Sequence, residues 1–91
     1  MIEEEMLKYL RHLGIEPRVN PHKYKLKFHK IIKDQETGEE DFLLICMQIF
    51  RKGDQKFAVE FIRLSGIEMN FYNEFIYYRD NVLSFANDII N

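Results

Sequence analysis

Three histidines, one cysteine and a run of five acids are the groups in this 91-residue chain best suited to chemistry. His12, His22 and His29 share no metal-ligand spacing. With Cys46 as the single thiol, a tetrahedral zinc site would lack its sulfur ligands. Cys46 lies inside the apolar run FLLICM (42–47). Reactive thiols sit in exposed, electropositive niches, so this one reads as structural. The acids of DQETGEED (34–41) lack the alternating spacing of a calcium loop and read as a solvated turn. Gly14, Gly38, Gly53 and Gly66 are scattered, so they build no phosphate-cradling loop. The expectation is a chain that is not an enzyme and uses no metal or cofactor.

Charge carries more information. The formal net charge is −2, yet RVNPHKYKLKFHKIIK (18–33) holds six Lys or Arg and no acid, and the five acids follow at once. A basic block beside an acidic one points to a local site for an anionic surface, with Lys25, Lys27 and Lys30 as its stripe. Nucleic acid is not the expected partner. A double-stranded RNA module has a similar order of elements, but such modules contact phosphate, and here the second helix would begin Ile67-Glu68-Met69-Asn70, with an acid that repels it. One cysteine fits a reducing compartment. The start MIEEEML is acidic where a secretory leader is basic. The longest apolar run is FLLICM, far below the ~20 residues of a membrane span. The expected location is the cytoplasm, with the nucleus or a peripheral membrane position as variants.

These residues must be positioned by a small set of elements in a single domain, 1–91. Met6, Leu7, Leu10 and Leu13 follow Glu3, Glu4 and Glu5 at helical spacing, with Gly14 as a C-terminal cap. Pro17 and Asn20-Pro21 stop the helix and leave 15–19 as a short edge strand. Tyr24, Leu26 and Phe28 alternate with Lys25, Lys27 and His29. Residues 42–50 are apolar on both parities, which suits a central strand, and Lys52-Gly53-Asp54 is a turn. Val59 and Phe61 give a last strand. Ser65 and Glu68 match a capping box for a helix running to about residue 89, with Phe71, Phe75, Tyr78 and Val82 as its stripe. The predicted fold is α+β: a four-stranded antiparallel sheet with an N-terminal and a long C-terminal helix on one face, in the order α-β-β-β-β-α. Alternation then turns Lys25, Lys27, His29, Leu44, Cys46, Gln48, Ala58, Glu60 and Ile62 to the other face. Of these, Leu44, Cys46, Gln48, Ala58 and Ile62 form an uncovered patch suited to docking a protein or to a dimer.

The segment VEFIRLSGIEMNFYNEFIYYRDNVL resembles the terminal strand-helix unit of the kinase-associated domain. That module is found in AMP-activated, microtubule-affinity-regulating and checkpoint-type Ser/Thr kinases. The matching positions are Val59, Phe61, Leu64, Ser65, Gly66 and Phe71. Upstream, Asn20, Pro21, Tyr24, Leu26 and MQIF (47–50) are similar to the AMP-activated branch. The resemblance implies two helices on one face of a four-stranded antiparallel sheet, and a binding function. The partner would be the module's own kinase domain, a partner subunit, or an anionic phospholipid surface. For lipid it implies basic residues on the first helix, here Lys8 and Arg11, and before Ser65-Gly66, here Arg63. Glu60 and Ile62 stand where further bases would serve lipid, so protein docking is the first expectation.

Overall fold

The computed structural model describes residues 2–20, 22–51, 53, 57–84, 86 and 88–90. Helix α1 spans Ile2–His12 and is followed by strands β1 (Arg18–Asn20), β2 (Lys25–Lys33), β3 (Glu40–Arg51) and β4 (Phe57–Ser65). Helix α2 (Glu68–Tyr77) runs into a wide π-turn at Tyr78–Val82, and a short strand β5 (Ile89–Ile90) follows. The sheet order is β1-β2-β3-β4-β5. Strands β1 to β4 are antiparallel, whereas β5 lies parallel to β4.

The α+β character, with one helix before strands β1 to β4 and one after them in the chain, agrees with the sequence reading. The sheet itself differs, being five-stranded and mixed rather than four-stranded and antiparallel. The difference arises where the long final helix was expected. The helical stripe predicts burial of Val82, but the Leu83 N–H reaches back five residues to the Tyr78 carbonyl at 2.8 Å. That wider turn places Leu83 on the core side behind Tyr78, and both are fully buried. The helix ends there, and the Asp88 carbonyl accepts from the Val59 N–H at 2.8 Å to start β5. Phe85 and Asn87, inside the expected helix, lie outside the described residues. So do Lys52 and Asp54 of the expected turn, and Pro21.

Helix α1 ends as its sequence suggests. Gly14 has φ +79 and donates to the Arg11 carbonyl, and Ile15 donates to Leu10, which is a Schellman closure. The start of α2 does not follow the expected capping box. Its N-cap is Ile67, without a side-chain cap of its own. Instead Asp41 reaches across from β3. Its Oδ2 accepts from the Ile67 N–H at 3.0 Å and from Asn70 Nδ2 at 2.9 Å. A carboxylate at a helix N-terminus is favoured by the helix dipole, so Asp41 does from a distance what Ser65 was expected to do locally.

Register fixes the two sheet faces. Leu26 opposes Met47, Phe28 opposes Ile45, and Met47 opposes Phe61. These residues meet Met6 and Leu10 of α1, Phe71 and Phe75 of α2, and Tyr78 in one core. Tyr78 is its hub, with ring centroids 5.2 Å from Phe61, 6.1 Å from Phe28 and 5.8 Å from Tyr9. Both helices therefore cover the same side of the sheet.

The short joint from β4 to α2 has a specific geometry. Between Ile45–Arg63 and Leu44–Ser65 the register jumps by one, leaving Leu64 as the extra residue of a bulge. Gly66 follows at φ +105, tight against Leu43 and the Phe42 carbonyl. The bulge bends the strand, and the glycine lets the chain turn directly onto the sheet.

Candidate functional site

Cross-strand pairing gathers one group of the expected site residues. Cys46 opposes both Lys27 and Ile62, Leu44 opposes His29, Gln48 opposes Lys25, and Phe50 opposes Ala58. All share the face that carries neither helix. Their reach to solvent is unequal. Leu44, Gln48 and Ile62 are half-buried, whereas Cys46 and Ala58 are each only 7% exposed and form the floor. Two residues that the sequence reading left out dominate this face instead. Ile31 and Phe42 are register partners, 53% and 58% exposed. The signal for both was present, since they continue the parities of His29 and Leu44.

At the other end of the same face lies a shallow groove of about 370 Å³, lined by Arg18, Val19, Asn20, Lys23, Lys25, Lys27 and Cys46. Arg18 is the direct cross-strand partner of Lys27, and Asn20 of Lys25. The turn before β2 folds Lys23 back toward them. Its N–H donates to the Asn20 carbonyl at 3.2 Å and to Asn20 Oδ1 at 3.3 Å. Tyr24 then adopts φ +51, and its carbonyl accepts from the Ile49 N–H at 3.0 Å. It was expected inside with Leu26 and Phe28, but β2 starts only at Lys25 and the ring is 61% exposed. The correction follows from the turn: in the left-handed region the side chain leaves the alternation of the strand. Arg18 and Lys23 were missed as partners of Lys25 and Lys27, because only the β1–β2 register brings them together.

The remaining basic candidates lie elsewhere. Lys30 is a correction to the expected stripe. Its even parity puts it on the helix-covered face opposite Leu43, where it pairs with Glu74. The Tyr78 hydroxyl donates to the same carboxylate oxygen at 2.9 Å, and the Lys30 ammonium lies 3.5 Å from the Tyr9 hydroxyl. Lys8 and Arg11 are exposed on α1, on the opposite side of the sheet from the groove, and Arg11 pairs with Glu16 at 3.3 Å. Arg63 is exposed opposite Ile45, and its Nη1 donates to the Gly66 carbonyl at 2.8 Å. The six basic candidates thus divide into separate places: Lys8 and Arg11 on α1, Lys30 at the helix-sheet interface, Arg63 at the β4–α2 joint, and Lys25 and Lys27 together on the outer face.

The Lys30 cluster shapes the alkaline limit of the fold. Burial works against the Lys30 charge, but the hydrogen bond and charge of Glu74 outweigh it and hold its pKa above the ordinary lysine value. Burial, then the Glu74 charge, pushes the Tyr78 phenol far above the ordinary tyrosine range. Both groups keep their protons in the folded chain at a pH where the unfolded chain releases them. Their stabilising contribution is complete below the unfolded values, 10.0 and 10.5, and declines as pH rises above them. Urea midpoints should therefore hold level between pH 8 and 9 with respect to these groups and fall from about pH 10 upward. In Tyr78→Phe that fall should be shallower.

The acids of the hairpin loop form a closed turn. Asp34 Oδ1 accepts from the backbone N–H groups of Glu36 and Thr37. Among the described residues no three of His, Cys, Asp and Glu are grouped closely enough to hold a metal ion. No helix of the described residues is long and apolar enough to cross a membrane. No family model, no curated protein and no solved structure matches this chain.

Proposed function

We propose that this chain is a non-catalytic regulatory module of a Ser/Thr protein kinase, which docks on protein through its outer sheet face. The observation that carries the reading is the one-sided packing. Both helices lie on one side of the sheet, while Ile31 and Phe42 stand exposed on the other beside half-buried Leu44 and Ile62. Exposed apolar side chains grouped on one face and edged by polar residues mark a surface that is covered in use. The resemblance of Val59, Phe61, Ser65, Gly66 and Phe71 to the kinase-associated module supplies the parent class, and the helix-sheet-helix order is compatible with it. The partner is the module's own kinase domain or a subunit of the same kinase.

In the full-length kinase, the double variant Leu44→Glu, Ile62→Glu tests this reading. The outer face is not the core, so the domain should keep its Tm within about 5 °C. Docking should be lost, seen as a change of at least about fivefold in basal kinase activity or as loss of the partner subunit. Regulation that survives both changes would show that the face is not the site.

An anionic membrane is the second reading, favoured by Lys25 and Lys27 standing together on the same face. Against it, Glu40 and Glu60 fall on that face by register, opposite Lys33 and Gln48. A flat bilayer would meet those acids together with the bases.

A further inference from the structure

We propose that the groove between β1 and β2 is the acceptor for a phosphorylated Ser or Thr side chain on the docked protein. This inference rests on the reading of the outer face as a protein-docking face and names the chemistry of the partner.

The first ground is an arrangement that folding alone disfavours. Arg18 and Lys27 are direct cross-strand partners, and like charges so placed repel. Lys25 stands two residues along the same face, and the Asn20 turn brings Lys23 to the groove as a fourth cation. Among the described residues none of the four makes an ion pair. Lys30, Arg11 and Arg79, by contrast, each have a carboxylate partner. Among the described residues no acid lines the groove. Four unneutralised cations around one hollow are what a multiply charged anion would relieve.

The second ground is the shape and position of the hollow. A phosphate monoester carries about −1.5 to −2 charges at pH 7 and three acceptor oxygens. An arginine fork can hold two of those oxygens, and lysines serve as point charges on the third. A space of about 370 Å³ admits that group with the side chain that bears it. The floor residue Cys46 opposes Ile62, so the groove opens directly onto the apolar part of the face. A bound segment would seat its phosphate in the groove and lay apolar side chains toward Leu44 and Ile62.

The third ground separates a peptide from a bilayer. Over the whole face the bases are offset by Glu40 and Glu60, and the Asp34–Asp41 loop adds further acids about 27 Å along β2 from Lys25. A broad anionic surface meets that mixture. A single phosphate seated between β1 and β2 has the four cations as the charged lining among the described residues, whereas Glu60 stands two strands across from Lys25, about 10 Å at the backbone, where ordinary ionic strength largely screens it.

The test is a titration of the ¹⁵N-labelled domain with a nonapeptide bearing one central phosphoserine, at physiological salt, beside its unphosphorylated twin. Amide shifts are expected at 18–20, 23, 25–27 and 46 with the phosphopeptide. The twin should bind at least tenfold more weakly. Lys27→Glu should abolish the shifts without lowering Tm, since it replaces a like-charge pair with an opposite one. Lys8→Glu on α1 should leave them unchanged. Shifts of equal size with the twin, shifts that survive Lys27→Glu, or no shifts at all would overturn the proposal. So would co-sedimentation with phosphatidylserine vesicles at the same salt, lost in Lys27→Glu, when the phosphopeptide fails to bind. The Leu44→Glu, Ile62→Glu variant is read separately. If it loses regulation while the phosphopeptide does not bind, the groove assignment falls and the docking face stands. If regulation survives while the phosphopeptide binds, the docking reading falls and the groove stands as a phosphate site.

Discussion

Gly66→Ala is expected to lower the stability of the domain by about 3 kcal/mol, the largest effect among the four Gly→Ala changes. Two costs combine. Gly66 has φ +105, a conformation that L-residues rarely adopt, and left-handed backbone costs a residue with a Cβ about 1–2 kcal/mol. The added Cβ would also lie 2.6 Å from Leu43 Cδ2, 3.0 Å from Leu43 Cα and 3.1 Å from the Phe42 carbonyl oxygen. The leucine tip can yield, but the backbone of β3 cannot move without disturbing the pairing at Leu44 and Ile45. A domain of this length has a total stability of about 5–14 kcal/mol, so the loss is a large fraction of it. At about 4–8 °C per kcal/mol, Tm should fall by at least about 12 °C. A thermal melt that moves by less than about 4 °C would show that the β4–α2 joint is looser than this geometry. Gly38→Ala is the control, because nothing stands within 4 Å of its added Cβ and only the strain at φ +76 remains.

Charge reversal at Lys30 is expected to destabilise by a similar amount, about 3 kcal/mol, for a different reason. Lys30 and Glu74 have side chains only 20% and 15% exposed, and they share the helix-sheet interface with the Tyr9 and Tyr78 hydroxyls. Removing one partner of a buried pair costs about 3–5 kcal/mol; residual solvent contact at both groups puts this case at the lower end. Lys30→Glu would also set two carboxylates side by side. Exchanging the charges, Lys30→Glu with Glu74→Lys, should recover more than half of the loss. Lys25→Glu, five residues earlier on the same strand but on the opposite face, should change stability by no more than about 0.5 kcal/mol. Urea denaturation of the four proteins separates the two faces of β2 directly. Equal losses for Lys25→Glu and Lys30→Glu would contradict the face assignment.

That contrast also shows how far the sequence alone could lead. Alternation correctly divided Leu26 and Phe28 from Lys25 and Lys27, and Leu44, Cys46 and Gln48 from Ile45 and Met47. The same rule, followed two residues further, puts Lys30 inside. Treating the lysines as one stripe because of their charge set the rule aside, and Glu74, 44 positions away, supplies the partner that lets a lysine sit there. Other features were beyond local reading for similar reasons. The cap of α2 comes from Asp41, on another strand. The end of the last helix is set by Tyr78 and Leu83 both seeking the core, which a regular 3.6-residue repeat does not allow. The groove exists only because β1 pairs Arg18 with Lys27, and a three-residue strand has too little pattern to reveal its register. The Gly66 joint, by contrast, was visible as a glycine between a strand signature and a helical one.

A photo-crosslinking side chain placed at Leu44, and in a parallel preparation at Lys8, tests the central claim most directly when each is carried by the full-length parent protein, which the proposed function takes to be a Ser/Thr kinase. Leu44 lies on the bare face of the sheet, and Lys8 is exposed on α1, which packs on the other side. The account expects an adduct from Leu44 whose attached peptide belongs to a kinase catalytic domain or to a subunit of the same kinase, and none from Lys8. An adduct from Lys8 with none from Leu44 would place the working surface on the helices and contradict the account.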